Sequence, residues 1–208
     1  MRGGIISIMV IVIFALSFCT LPAQATLITI EIEAIVDSVW DAGNYLGGKI
    51  KPGDTITGFY TYHSSTPDSN PWPALGRYEY HTPPYGIFLS VSGFDFETNP
   101  TNVDFLVEIT NDYPPDDDYF LLSYNNLPLS NGTLVGSISW WLNDSSGGAL
   151  SSDALPTTPP VLANWQSNLL RLHGGRLYGV DAHVTSAVPE PSTILLFGLV
   201  GLLLRKQW

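Results

Sequence analysis

The chain has 208 residues and a formal net charge of −11. Only 8 Lys and Arg stand against 19 Asp and Glu, too few cations to clothe a phosphate backbone, so nucleic acid is excluded as a partner. A single cysteine, Cys19, excludes a disulfide-stapled domain and a zinc-thiolate site.

Residues 1–25 open on Arg2, run through apolar residues from Ile5 to Phe18 and close on Ala23-Gln24-Ala25. A positive start, a short apolar core and a small-x-small end make a secretory signal peptide. Ala23 and Ala25 are the residues signal peptidase would read. The apolar run is shorter than the roughly 20 residues of a spanning helix. Phe18 occupies the position before Cys19 where a lipoprotein signal carries a small residue, so Cys19 belongs to the discarded leader. The mature chain then starts at Thr26 without any cysteine. About 160 residues remain before the C-terminal tail, enough for one hydrophobic core. Between residues 26 and 187 there are 18 Asp and Glu and 5 Lys and Arg, a balance of −13, which reads as a solubility feature of an exported domain.

Helical periodicity is almost absent from residues 26–187, and alternation is strong. Ile28, Ile30, Ile32, Ala34 and Val36 are apolar while Thr29, Glu31 and Glu33 face the other way, a strand with one buried face. Strand candidates follow at 55–62, 87–91, 103–109, 119–124, 133–142, 168–173 and 178–185. Lys51-Pro52-Gly53-Asp54 is a turn, with Pro presetting φ and Gly supplying positive φ. Asn131-Gly132 and Gly174-Gly175 have the composition of two-residue hairpin turns. Pro-rich loops occupy 64–75 and 155–160. Eight or more short strands without an internal repeat predict an all-β fold: a single antiparallel β-sandwich or jelly-roll-like domain over 26–187. An N-terminal signal helix and a short C-terminal hydrophobic helix flank it.

Val188-Pro189-Glu190-Pro191-Ser192-Thr193 leads into eleven apolar residues, Ile194 to Leu204, then Arg205 and Lys206. Two prolines in three residues predict a hinge. Eleven residues of helix reach about 16 Å, against about 30 Å of hydrocarbon, so the run is a marginal span, and the basic pair holds its end at the cytoplasmic side. This three-part tail over 188–208 resembles the PEP-CTERM sorting signal of Gram-negative bacteria that make exopolysaccharide. The same tail is also called an ice-binding protein C-terminal domain, a label that follows the tail and says nothing of ice. The resemblance implies recognition by an exosortase, a membrane-embedded cysteine protease or transpeptidase. It implies removal of the tail near Pro189, Glu190 and Pro191, transient inner-membrane association, and a destination at the cell surface or in the extracellular matrix. Gly53-Asp54-Thr55, Gly58-Phe59-Tyr60-Thr61-Tyr62, Thr66-Pro67-Asp68 and Ser151-Ser152-Asp153-Ala154-Leu155-Pro156 resemble a module that recurs ahead of this tail; it brings no known activity.

Catalytic signals are missing. There is no Gly-x-Ser-x-Gly elbow, no Cys-His pair, no His-Glu-x-x-His and no phosphate-cradling glycine loop, so no catalytic residue and no cofactor are assigned and the chain reads as a non-enzyme. His63, His81, His173 and His183 are scattered. Asn111-Asp112-Tyr113-Pro114-Pro115-Asp116-Asp117-Asp118 admits two readings, a solvated acidic turn or a Ca²⁺ site through Asp112, Asp116 and Asp118. Trp40, Trp72, Tyr78, Tyr80 and Tyr85 lie in or beside polar loops. Trp140 and Trp141 must point to opposite faces of one strand, so an outward Trp141 could stack on a sugar ring. Three readings follow: a surface or matrix component, a carbohydrate-binding module for extracellular polysaccharide, and a glycan-active hydrolase built on paired carboxylates.

Overall fold

A computed structural model describes residues 26–113 and 115–190. The expected signal helix and hydrophobic tail helix lie outside the described residues. Among those described, no helix is long and apolar enough to cross a membrane.

The chain forms ten strands: β1 (Leu27–Asp41), β2 (Thr55–His63), β3 (Leu75–Tyr80), β4 (Gly86–Val91), β5 (Phe94–Glu97), β6 (Phe105–Tyr113), β7 (Asp116–Ser123), β8 (Ser137–Asp144), β9 (Ser167–His173) and β10 (Tyr178–Pro189). All neighbours are antiparallel, in the order β3-β6-β7-β8-β9-β10-β1-β2-β4-β5. The ladder is continuous, so the two layers of the sandwich are two halves of one curled sheet.

Period-two alternation decides which face turns inward. Ile30, Ile32, Ala34 and Val36 of β1 are buried, as are Tyr60 and Tyr62 of β2, Tyr119 and Leu121 of β7, and Ile138, Trp140 and Leu142 of β8. The halves meet where β2 faces β7 and β8. The Tyr60 and Tyr119 hydroxyls lie 3.0 Å apart, and both rings meet Trp140 edge-on, at 6.0 and 5.9 Å between centroids. The end strands are tied across as well. Thr98 Oγ1 lies 2.9 Å from Ser123 Oγ beyond β5, and the Tyr80 hydroxyl of β3 donates to the His63 carbonyl at 3.3 Å.

Two strands escaped the sequence pattern. In β3 the inward positions are Gly76, Tyr78 and Tyr80, so Tyr78 and Tyr80 are buried strand residues and not loop residues. Gly76 is required there by close approach, since a Cβ would run into the Asp153 carbonyl. β5 has only four residues. Asn131-Gly132 closes a small turn inside the β7–β8 connection, where the Leu129 amide donates to the Thr133 carbonyl at 2.8 Å. The β9–β10 connection is Gly174-Gly175-Arg176-Leu177, two residues longer than its Gly-Gly pair suggests.

Buried tyrosines carry their hydroxyls to backbone carbonyls that would otherwise be stranded. Tyr62 donates to Pro156 at 2.7 Å, Tyr78 to Asp153 at 2.9 Å and Tyr178 to Leu134 at 3.2 Å, so the core nails down the long connections. Burial pushes the Tyr60 and Tyr119 hydroxyls well above the ordinary phenol value, and that of Tyr80 up to about 12. Tyr119→Phe strands the Tyr60 hydroxyl in the core and is expected to cost about 1–3 kcal/mol in urea unfolding. The double variant Tyr60→Phe/Tyr119→Phe should recover part of that loss, because no buried hydroxyl of this pair is then left alone. A double variant no more stable than Tyr119→Phe alone contradicts the role given to the pair.

Candidate functional site

β10 passes from the core into the tail. Its first half lies between β9 and β1, but pairing to β9 covers only Gly179 to Ala182. Pairing to β1 continues to the end, with Ala187 opposite Ile32, Val188 opposite Glu31 and Pro189 opposite Ile30. One residue further, the Glu190 amide donates to the Thr29 carbonyl at 3.0 Å. The expected hinge therefore does not begin at Val188: Val188 and Pro189 are strand residues. Proline is accommodated because successive amides of a strand point to opposite sides. That of Glu190 faces β1, so the nitrogen of Pro189 faces the side where β9 has already stopped, and no ladder bond is lost. Pro191, Ala23 and Ala25 lie outside the described residues. The start of the described chain is beside this end, with the Thr26 amide donating to Ser64 Oγ at 3.1 Å. A cavity of about 360 Å³ opens there between Thr26, Leu27, Thr157, Pro159, Pro189 and Glu190.

At another end of the sheet lies the acidic turn between β6 and β7. Asp112 has φ 55°, the left-handed region, and its amide donates to Asp117 Oδ1 at 2.9 Å. Asp118 Oδ1 accepts from the Trp141 indole at 2.7 Å and from Asn143 Nδ2 at 3.0 Å. Asp116 pairs in register with Tyr113. Among the described residues no three His, Cys, Asp or Glu side chains gather as a metal would need. Asp112, Asp116 and Asp118 are thus not brought together as a ligand set, and the hydrogen bonds of Asp118 turn it toward Trp141.

The sequence reading missed the inward carboxylates Asp117 and Asp144, which are cross-strand partners on β7 and β8 and are both buried. Asp117 Oδ2 accepts the Leu150 amide at 2.8 Å. Asp144 accepts the Ser146 hydroxyl at 2.7 Å, the Gly148 amide at 2.9 Å and the Gln166 side chain at 2.9 Å. The pair pins the loop after β8 over the end of the sheet. Gly147 in that loop has φ +67°, and a Cβ there would run into the Pro115 carbonyl. The signal was present: Asp144-Ser145-Ser146-Gly147 is a turn-forming string in which Asp caps the following amides.

The hydroxyl of Ser146, then the amides of Gly148 and Ser146, hold the Asp144 carboxyl below its ordinary value of 3.8. A carboxyl depressed in the folded state adds stability that is complete above its unfolded value and is lost as pH falls through the folded one. The acid limb of the stability curve, below about pH 4, should therefore be shallower in Asp144→Asn than in the parent, and the variant should be less stable at neutral pH. Parallel acid limbs in thermal melts would refute this.

The histidines stay apart. His63 meets Ser65 Oγ at 3.0 Å and His183 meets Asp37 at 2.8 Å. His173 is held below the ordinary imidazole value by burial, then by Arg171, with Asp181 opposing.

The outer sheet face carries two aromatic rows. In one, Glu108, Phe120, Trp141 and Leu169 are successive cross-strand partners. Trp140 is fully buried and Trp141 is 39% exposed, as alternation requires. The second row is Glu31, Phe59, Phe88 and Glu97 across β1, β2, β4 and β5. The Phe59 and Phe88 rings stack at 5.6 Å between centroids, 30° apart, beside a cavity of about 290 Å³ that includes Tyr85, Thr98 and Pro100. Nothing in the separate segments reveals this row; only the register of four strands assembles it.

Against known families, one region decides. Residues 187–207 match the PEP-CTERM protein-sorting motif. The PEP-CTERM motif implies export and processing by an exosortase at the membrane. Its first residues, Ala187 to Pro189, are the end of β10. The chain matches no curated protein and no solved structure.

Proposed function

We propose that this chain is a non-enzymatic component of the cell surface or exopolysaccharide matrix of a Gram-negative bacterium, delivered through its PEP-CTERM tail. Signal peptidase removes residues 1–25, the tail holds the domain transiently at the inner membrane, and an exosortase releases it. The supporting observation is that the sorting motif at 187–207 begins within the last strand of a β-domain. In a host with exosortase activity, the chain recovered from the surface fraction should lack the apolar tail. In the same host without that activity it should stay in the inner membrane with the tail attached. Surface recovery of the chain with its tail intact argues against this reading.

A second reading, binding of extracellular polysaccharide, draws support from the outer rows. Aromatic faces accept the C–H face of a sugar, and flanking carboxylates accept its hydroxyls. Phe59 and Phe88 between Glu31 and Glu97 combine both features, whereas the indole N–H of Trp141 is committed to Asp118. Retention on immobilised neutral polysaccharide from the host should fall at least about tenfold in Phe59→Ala, the loss of about 1.4 kcal/mol, and fall less in Trp141→Ala. Equal retention of the parent and both variants removes this reading.

A further inference from the structure

The match to the sorting motif does not say which peptide bond is cut. We infer that the folded domain withholds the first residues of the motif, so that the exosortase cuts on the C-terminal side of Glu190. This rests on the exosortase reading above.

Cutting requires the scissile peptide to lie extended in the enzyme's cleft with its carbonyl open to attack. The carbonyl carbon then bonds to the enzyme's nucleophile as the C–N bond breaks. The tail leaves as an amine carrying the nucleophile's proton, and water or a primary amine takes the acyl group and returns a proton. Ala187, Val188 and Pro189 cannot offer such a peptide while they pair with Ile32, Glu31 and Ile30. β1 is itself held on its other edge by β2, where Glu31 opposes Phe59 and Ile30 opposes Tyr60. Freeing the motif therefore peels β10 from a central strand and uncovers Ala187, which packs against the core. The amide of Glu190 bonded to the Thr29 carbonyl at 3.0 Å is the last ladder bond among the described residues. Bonds up to Pro189–Glu190 are closed by the sheet, and the first bond beyond the clamp is Glu190–Pro191. Local opening of the ladder would expose earlier bonds only in a minor population.

The test is the C-terminus of the mature protein purified from its own host, read by intact mass and C-terminal peptide mass spectrometry. The expected product ends at Glu190 or later. A product ending at Pro189, Val188 or earlier overturns the inference while leaving exosortase sorting intact. A product retaining the whole tail overturns the sorting reading and this inference with it. A second variant separates the clamp from the enzyme's own reading of the sequence: Gly-Ser-Gly-Ser-Gly-Ser inserted between Ser186 and Ala187 lifts the motif out of the ladder. Products ending at Val188 or Pro189 should then appear. An unchanged terminus, relative to the motif, shows that the enzyme alone sets the bond and refutes the clamp.

Discussion

The architecture depends on one buried contact between the two halves of a single sheet. Ten strands joined edge to edge could lie open, with one apolar face in water. They curl because the inward residues of β2 find those of β7 and β8. Tyr60, Tyr119 and Trp140 are all fully buried at that seam. The contact has two components. Three large rings supply the apolar burial, and their edge-on geometry places ring edges against ring faces. The Tyr60–Tyr119 hydroxyl pair then gives two polar atoms buried away from water a partner in each other. Removing a hydrocarbon group there would leave a hole, but removing one hydroxyl would leave its partner unmatched, which is why the seam fixes a register and does not merely attract.

From that seam the loops follow. The long connections of this chain are rich in Pro, Gly, Ser and Asp and have little to bury, so they must be fastened by polar contacts from the sheet. Tyr62, Tyr78 and Tyr178 reach outward from the core to the carbonyls of Pro156, Asp153 and Leu134. Asp117 and Asp144 do the same with amides at the end of β7 and β8. The two carboxylates stand side by side without a cationic partner among the described ion pairs. At Asp144 the Ser146 hydroxyl and then the amides of Gly148 and Ser146 converge on the carboxyl, the arrangement that favours a carboxylate over its neutral form.

How far the sequence goes is visible in particular residues. The alternation from Ile28 to Val36 gives β1 and its buried face, since one strand's pattern is local information. Trp140 and Trp141 divide between core and surface for the same reason. β3 was hidden because its inward positions are Gly and Tyr, and a Tyr reads as polar until its hydroxyl partner is known. The roles of Asp117, Asp144 and the Phe59–Phe88 row were hidden more deeply. Each depends on which strands become neighbours, and register between distant segments is a property of the folded sheet. The acidic turn shows the same limit: Asp117 is buried while Asp116 and Asp118 on either side of it are only half-buried, and the string of acids alone does not say which of them turns inward.

The tail junction shows why a proline that reads as a hinge can be a strand residue. Beyond Ala182 the outer edge of β10 has no β9 to pair with, and an unpaired edge invites a foreign strand. Asn168 covers the next step, its side chain bonding both the amide and the carbonyl of Val184. At Pro189 the ring removes the donor from that same open side, while the amide of the next residue, Glu190, still bonds the Thr29 carbonyl of β1. Pro189 therefore suits an exposed strand edge as well as it suits a sorting motif. Val188, Pro189 and Glu190 serve two constraints at once: they must close the sheet against β1, and they must begin the segment that an exosortase reads. A substitution at Pro189 would thus act on both, and its effect on sorting could be assigned to recognition only where pairing of Ala187 and Val188 with β1 is shown to persist.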